Sequence, residues 1–153
     1  MNHYSKENFH LTQSVGFFLN RARNTLLMEM DAALTDLGIT GQQMGILLSL
    51  TRGVATTPFE LSKLLGIDTG LMTRMLDKLE AKGLLSRSRS LDDRRVVNLT
   101  LTEKGRQAAE RIPEIAPKVL NRRLRNFSKE EFSEFRRLLA KFADAGARFF
   151  LPF

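Results

Sequence analysis

Five arginines, Arg74, Arg87, Arg89, Arg94 and Arg95, fall within a short stretch of the chain that is also rich in turn and cap residues. A guanidinium is a planar fork of five donors that matches guanine O6 and N7, or a phosphate, in a bidentate manner. Arg94 and Arg95 follow Asp92 and Asp93 directly, a run too polar to be buried. Arginine on a narrow protrusion suits the minor groove of A·T-rich DNA, where the potential is most negative, and Asp93 could hold such an arginine in one orientation. The chemistry these residues offer is recognition of a polyanion.

Catalysis finds little support in the residue types. The two histidines, His3 and His10, lie near the N-terminus without a nearby nucleophile, and the sequence contains no HExxH, GxSxG or glycine-rich phosphate loop. Asp92 and Asp93 beside two arginines at a hairpin tip are unshaped for acid–base work. No catalytic residue, metal site or cofactor is expected, and the chain is read as not an enzyme. Zero cysteines exclude disulfides and thiolate metal sites.

The elements that position the arginines can be read from Thr57 to Gly105. Thr57 caps a helix, Pro58 suits its first position, where a missing N–H costs nothing, and Glu60 completes a capping box. Gly66-Ile67-Asp68 supplies a turn, and Asp68 or Thr69 caps a second helix running to about Lys82, with Gly83 at its C-terminal stop. Two short helices joined by so tight a turn make a helix-turn-helix. Met72, Leu76 and Leu79 recur at helical spacing and should face the core. Thr69, Gly70, Thr73, Arg74 and Asp77 are left on the opposite or flanking faces, near the end that a recognition helix offers to the major groove. After Gly83 the period becomes two: Leu85, Arg87 and Arg89 alternate with Leu84, Ser86 and Ser88, and Val97, Leu99 and Leu101 with Val96, Asn98 and Thr100. This predicts a hairpin, a wing whose tip carries Asp92 to Arg95.

The flanks are predicted helical. Leu11, Val15, Phe18, Ala22, Leu26, Met30, Ala33 and Leu37 form one stripe ending before Gly38, widened by Phe17 and Leu34. Thr40 and Gln43 open the next helix with a capping box, and Met44, Leu47, Leu48 and Thr51 continue it to Gly53. Thr102 caps a helix entering the Pro113 region, and Ser128 starts a last one with Phe132, Phe135, Leu138, Leu139 and Phe142 on one face. These amphipathic termini and the apolar tail Phe149-Phe150-Leu151-Pro152-Phe153 should not stay in water, which leaves packing within the chain or a two-fold dimer interface.

Taken together, Leu64-Leu65-Gly66-Ile67, Met72-Thr73-Arg74-Met75-Leu76-Asp77-Lys78-Leu79-Glu80-Ala81-Lys82-Gly83-Leu84, Asp93-Arg94-Arg95 and Leu101-Thr102-Glu103-Lys104-Gly105 resemble the MarR family of bacterial winged helix-turn-helix transcription regulators. The resemblance covers the middle third in motif detail and the whole chain in length and helix order. It implies a mainly α fold with a small β-hairpin wing: a winged helix-turn-helix lobe at 38–102, and dimerisation helices at 1–37 and 103–153 of a single domain. It implies double-stranded DNA as partner, with Gly70 and Arg74 approaching bases and Arg95 entering the minor groove. The full candidate DNA-binding set is Thr69, Gly70, Thr73, Arg74, Arg87, Arg89, Arg94 and Arg95, with Asp93 orienting the wing. Members commonly bind small aromatic or phenolic acids between the dimerisation helices and the winged lobe. That analogy marks Phe17, Arg21 and Met44, with His10 of the partner subunit, as an effector site. Some members sense oxidants through cysteine, which this chain lacks. Pro113 and Pro117 depart from the family by interrupting what is usually one long helix, which bears on its straightness.

The expected function is a sequence-specific transcription regulator, a repressor acting as a homodimer on a pseudo-palindromic operator. The alternative is a DNA-architectural protein with weak sequence preference and no ligand. Of the net charge of +7, residues 1–37 contribute −1, residues 38–102 +3 and residues 103–153 +5. Most of the excess lies outside the winged lobe, so it is the placement of individual arginines, not net charge, that points to DNA. Arg122, Arg123 and Arg125 read first as a solvated helix face, with contact to DNA flanks or recognition of an anionic molecule as the alternatives. Nothing resembles a membrane span or signal peptide, and a cytoplasmic location is expected.

Overall fold

The computed structural model describes residues 1–144, so the apolar tail at 149–153 lies outside the described residues. Among the described residues six α-helices and one hairpin follow in the order α1 (Val15–Ala33), α2 (Gly41–Arg52), α3 (Pro58–Leu65), α4 (Thr69–Ala81), β1 (Leu85–Arg89), β2 (Val97–Leu101), α5 (Glu103–Leu124) and α6 (Lys129–Ala143). The chain divides into two compact units, Met1–Val119 and the segment from Leu120 onward.

Local chemistry sets most of the boundaries. Thr40 and Gln43 exchange side-chain to backbone hydrogen bonds at the start of α2, with Gln43 N donating to Thr40 Oγ1 at 3.2 Å and Thr40 N to Gln43 Oε1 at 3.1 Å. Thr57 with Glu60 and Ser128 with Glu131 form the same reciprocal box on α3 and α6. The first helix starts later than its apolar stripe suggests. Leu11–Gln13 form a 3₁₀ turn, Ser14 is extended and accepts the Phe17 N–H, and the Tyr4 hydroxyl accepts the Val15 N–H at 2.9 Å. The α-helix ends at Ala33, and a second 3₁₀ turn, Thr35–Leu37, runs into Gly38.

Within the first unit the core joins Met30 and Leu34 to Ile46 and Leu47 of α2, Leu61 of α3, Met72, Met75, Leu76 and Leu79 of α4, Leu84, Leu85, Leu99 and Leu101 around the hairpin, and Ala108, Ile112, Ala116 and Val119 of α5. Met75 joins the expected α4 stripe because it lies i+3 from Met72 and i−4 from Leu79. Thr51 departs from the expected face of α2: it is exposed and its hydroxyl donates to the Leu47 carbonyl. Leu11 in the first 3₁₀ turn and Val15 and Phe18 on α1 stay exposed in the single chain.

The strands pair antiparallel with Leu85 opposite Leu101, Arg87 opposite Leu99 and Arg89 opposite Val97. On its other edge β2 is also held, since the Leu99 N–H donates to the Thr56 carbonyl at 2.8 Å. At the exit of the hairpin Thr102 Oγ1 donates to the Gly83 carbonyl at 2.6 Å and accepts the Gly105 N–H at 3.1 Å, capping α5. Gly105 is buried where a Cβ would run into the Leu84 carbonyl. Pro113 and Pro117 do not end α5, which is continuous from Glu103 to Leu124. Both prolines are exposed, and Ile112, Ala116 and Val119 on the other side of α5 hold the helix in the core.

In the second unit, α6 carries Phe132, Phe135, Leu138, Leu139 and Phe142 on one exposed stripe. Phe127 and Phe135 pack with ring centroids 5.5 Å apart in an open groove of about 580 Å³, rimmed by Glu130, Glu131 and Glu134.

Candidate nucleic-acid interface

Asp68 fixes the start of α4, its carboxylate accepting the Leu71 N–H at 2.9 Å. With Met72, Met75, Leu76 and Leu79 buried beneath, the helix presents Thr69, Gly70, Thr73, Arg74 and Asp77 to solvent. Thr73 donates its hydroxyl proton to the Thr69 carbonyl at 2.9 Å, which leaves its oxygen as an acceptor and its methyl as an apolar contact. A Cβ on Gly70 would lie 3.2 Å from Asp68 Oδ1 and 3.6 Å from Arg74 Nη1, so the bare glycine gives the Arg74 guanidinium room over the first turn. Arg74 itself has no ion-pair or hydrogen-bond partner among the described residues. Its donors are free.

The wing tip is a tied turn. Ser90 N donates to the Val96 carbonyl at 2.9 Å, Val96 N to the Asp93 carbonyl at 2.9 Å, and Ser90 Oγ accepts the Asp92 N–H at 3.2 Å. Asp93 Oδ1 accepts both the backbone N–H of Arg95, at 3.0 Å, and its Nε–H, at 3.2 Å. The Arg95 side chain is nonetheless 92% exposed. One of its five N–H donors is committed to Asp93, and the two terminal nitrogens remain available beyond the tip. Arg89 and Arg94 are exposed and, among the described residues, unpaired.

Arg87 stands differently from the other four. Its Nη2 donates to Asp77 Oδ1 at 2.7 Å and its Nη1 to Glu80 Oε2 at 2.5 Å, so both carboxylates of α4 hold it. Burial works against its charge, but these hydrogen bonds and the adjacent carboxylates outweigh it and hold the guanidinium above its ordinary value. Arg87 thus departs from the DNA-contact set expected of it, and Glu80 joins Asp77 as a functional acid that spacing along the chain does not reveal. The period of two already placed Arg87 on the strand face of Leu85, the face that turns inward.

The effector candidates are dispersed in character. Phe17 is half-buried and meets Phe18 edge-on at 5.9 Å, Arg21 and His10 are exposed, and Met44 packs against the core from α2.

A core-anchored helix with a free arginine on its outer face, followed by a hairpin that displays another at its tip, defines a winged helix-turn-helix DNA-binding protein. Residues 39–97 match the MarR family. The chain is 34% identical over 124 residues to the multiple antibiotic resistance protein MarR of Escherichia coli strain K12, covering 80% of this chain and 84% of that one. A structure of a mutant E. coli MarR complexed with operator DNA superposes with a TM-score of 0.77 at 29% identity, covering 84% of this chain and 92% of the other. BpsR of Bordetella bronchiseptica, solved for the regulation of its DNA binding by 6-hydroxynicotinic acid, gives a TM-score of 0.79 at 26% identity over 89% and 97%. The chain belongs to the MarR family, and it is a DNA-binding transcription regulator rather than an enzyme. Among the described residues no helix is long and apolar enough to cross a membrane.

Proposed function

We propose that this protein is a cytoplasmic repressor that binds a pseudo-palindromic operator as a homodimer and is released by a small aromatic or phenolic acid. The observation that carries the DNA reading is the pairing of a free Arg74 on the outer face of α4 with an Arg95 whose Nε is fixed by Asp93 and whose terminal nitrogens are exposed. Thr69, Gly70, Thr73 and Arg74 enter the major groove, Arg95 the minor groove, and Arg89 and Arg94 lie near phosphates. Arg87 leaves this set, since its fork is already occupied.

The lobe at 38–102 contacts DNA, and segments 1–37 and 103–153 dimerise. Exposed Leu11, Val15 and Phe18 at one end of the chain, and Phe132, Phe135, Leu138 and Phe142 at the other, support this division, because isolated proteins rarely leave such stripes in water. The effector site is bordered by Phe17, Arg21 and Met44 with the partner subunit's His10. Support comes from the family and from BpsR, whose DNA binding responds to an aromatic acid.

The test is a footprint on the protein's own promoter region with and without a panel of aromatic acids. A bounded footprint over an inverted repeat, lifted by at least one acid, is expected. Uniform coating of the duplex would overturn the repressor reading, and a footprint indifferent to every acid would overturn the effector.

A further inference from the structure

The Arg87 site is built from two elements that DNA recognition would need to keep in step. Asp77 and Glu80 stand at i and i+3 on α4, one turn apart on the same helix, and Arg87 comes from the middle of β1, opposite buried Leu99. Its stem therefore crosses the apolar side of the hairpin and its head emerges at the helix, with only a quarter of the side chain exposed. A planar fork can span two carboxylates at once, which a point-charged ammonium cannot do with the same geometry. One N–H of each terminal nitrogen is committed to a carboxylate, so a guanine edge would have to compete with Asp77 and Glu80 for the end of the fork.

We infer that Arg87 is the positioning residue of the interface: by bridging Asp77 and Glu80 it locks the wing to the recognition helix, so that Arg74 and Arg95 engage one half-site as a rigid pair, and it does not itself contact DNA. The inference rests on the proposed DNA reading. With the lock in place the minor-groove contact follows the major-groove contact as an intramolecular step at high effective concentration; without it the strands stay anchored in the core through Leu85, Leu99 and Leu101, but the hairpin beyond Arg87 is less tightly set against α4 and its contribution falls. The lock also offsets the charge of two carboxylates that would otherwise repel a polyanion.

The experiment uses the full chain and duplexes that the wild-type protein selects from a random-sequence pool, each prepared with A·T-rich and G·C-rich flanks. Affinities of wild type, Arg87→Ala, Arg95→Ala and the double variant are measured from about 50 to 200 mM salt, a range over which phosphate contacts are resolved. On A·T-rich flanks Arg87→Ala is expected to weaken binding by about 10- to 100-fold, and most of that loss should vanish in the Arg95→Ala background. In the Arg95→Ala background, where the wing contributes less, adding Arg87→Ala should leave the salt slope unchanged. Asp77→Asn with Glu80→Gln should erase the flank preference in the same way, and adding Arg87→Ala should change it no further. Arg87→Lys keeps the charge but not the fork, and should show the same non-additivity if Arg87→Ala fails to fold. A slope reduced by a further ~0.9 when Arg87→Ala is added to Arg95→Ala, the signature of a phosphate contact made by Arg87 itself, would overturn the inference. So would an equal fold-loss with Arg95 present or absent, which is what a merely structural role predicts. A wild-type protein that enriches no duplex would overturn the DNA reading itself and this inference with it.

Discussion

Arg74 and Arg95 differ in what surrounds them, and so in what their loss should do. Arg74 rises from the first half of α4 with its guanidinium over Gly70 and no acidic partner among the described residues. Arg74→Ala is expected to cost about 1–3 kcal/mol per site and to relax preference at one base position. Arg95 is held through Nε by Asp93, and the pair is exposed enough that its own contribution to stability is small. Arg95→Ala should therefore leave the melting temperature unchanged while weakening binding and blunting a preference for A·T-rich flanks. Titration of both variants against flank-altered duplexes separates them; a change in the central consensus on losing Arg95 would reverse the assignment of helix and wing. Gly70→Ala probes the same surface from below, because its methyl would sit 3.2 Å from the capping oxygen of Asp68 and force that cap to give.

Among the elements, α3 depends most visibly on its cap. The Glu60 carboxylate accepts N–H groups from Thr56 at 2.8 Å and Thr57 at 3.1 Å, and these backbone bonds, that to Thr56 foremost, hold its pKa below the ordinary value of 4.5. A carboxyl lowered in the folded state contributes stability that is complete above its unfolded value, near 4.5, and is lost as the pH falls through the lower folded value. Glu60→Gln keeps an acceptor but cannot titrate, so the gap in stability between wild type and variant should narrow below pH 4.5 in acid melts. A gap that stays constant there would show that the charge of Glu60 is irrelevant. Thr57→Ala removes the other half of the box and should cost about 0.5–2 kcal/mol in denaturant unfolding. Gly105→Ala attacks a tighter joint, since a Cβ there meets the backbone of Leu84, and a loss of about 3 kcal/mol, the upper end for overpacking, is expected. Reaching wild-type stability in the same denaturant series would show that the joint can open without cost.

These elements also mark how far the sequence could be read. Boxes such as Thr40 with Gln43 and Ser128 with Glu131 lie within one turn of chain, so residue type and spacing are enough to find them. The hairpin was legible because its period of two is equally local. Arg87 was not, because its meaning depends on Asp77 and Glu80 across a turn, and only three-dimensional packing shows which arginines are already paired. The start of α1 was misjudged for a related reason. Leu11 continues the apolar stripe, but the extended backbone at Ser14 and its cap on Phe17 outweigh periodicity there. The continuity of α5 through two prolines follows from tertiary burial of the opposite face, which overrides an intrinsic helix breaker.

For the whole molecule, the apolar stripes of α1 and α6 set the prediction. Sedimentation at micromolar concentration should give a dimer, and Phe135→Glu with Leu138→Glu, placed on the exposed stripe of α6, should shift it to monomer with the helical content of the first unit retained. A wild-type monomer would sink the proposal. A dimer of winged lobes then requires half-sites about one helical turn, ~10 bp, apart. The excess positive charge lies mainly after residue 102 and so bears on encounter with DNA more than on reading it.

The hydrogen bond from Leu99 to Thr56 reaches beyond recognition to the order in which the chain can fold. A hairpin alone forms quickly from neighbouring residues, but the outer edge of this one is completed only when the segment preceding α3 arrives from far earlier in the chain. Closing so large a loop carries an entropy that the early chain must meet before the edge is satisfied. The wing should therefore open together with α3 and not as an independent flap. Native-state hydrogen exchange can follow this, with the Leu99 amide expected to share its opening free energy with Leu61 in the core of α3 rather than with Asn98, its neighbour in sequence, whose bonds run along the hairpin.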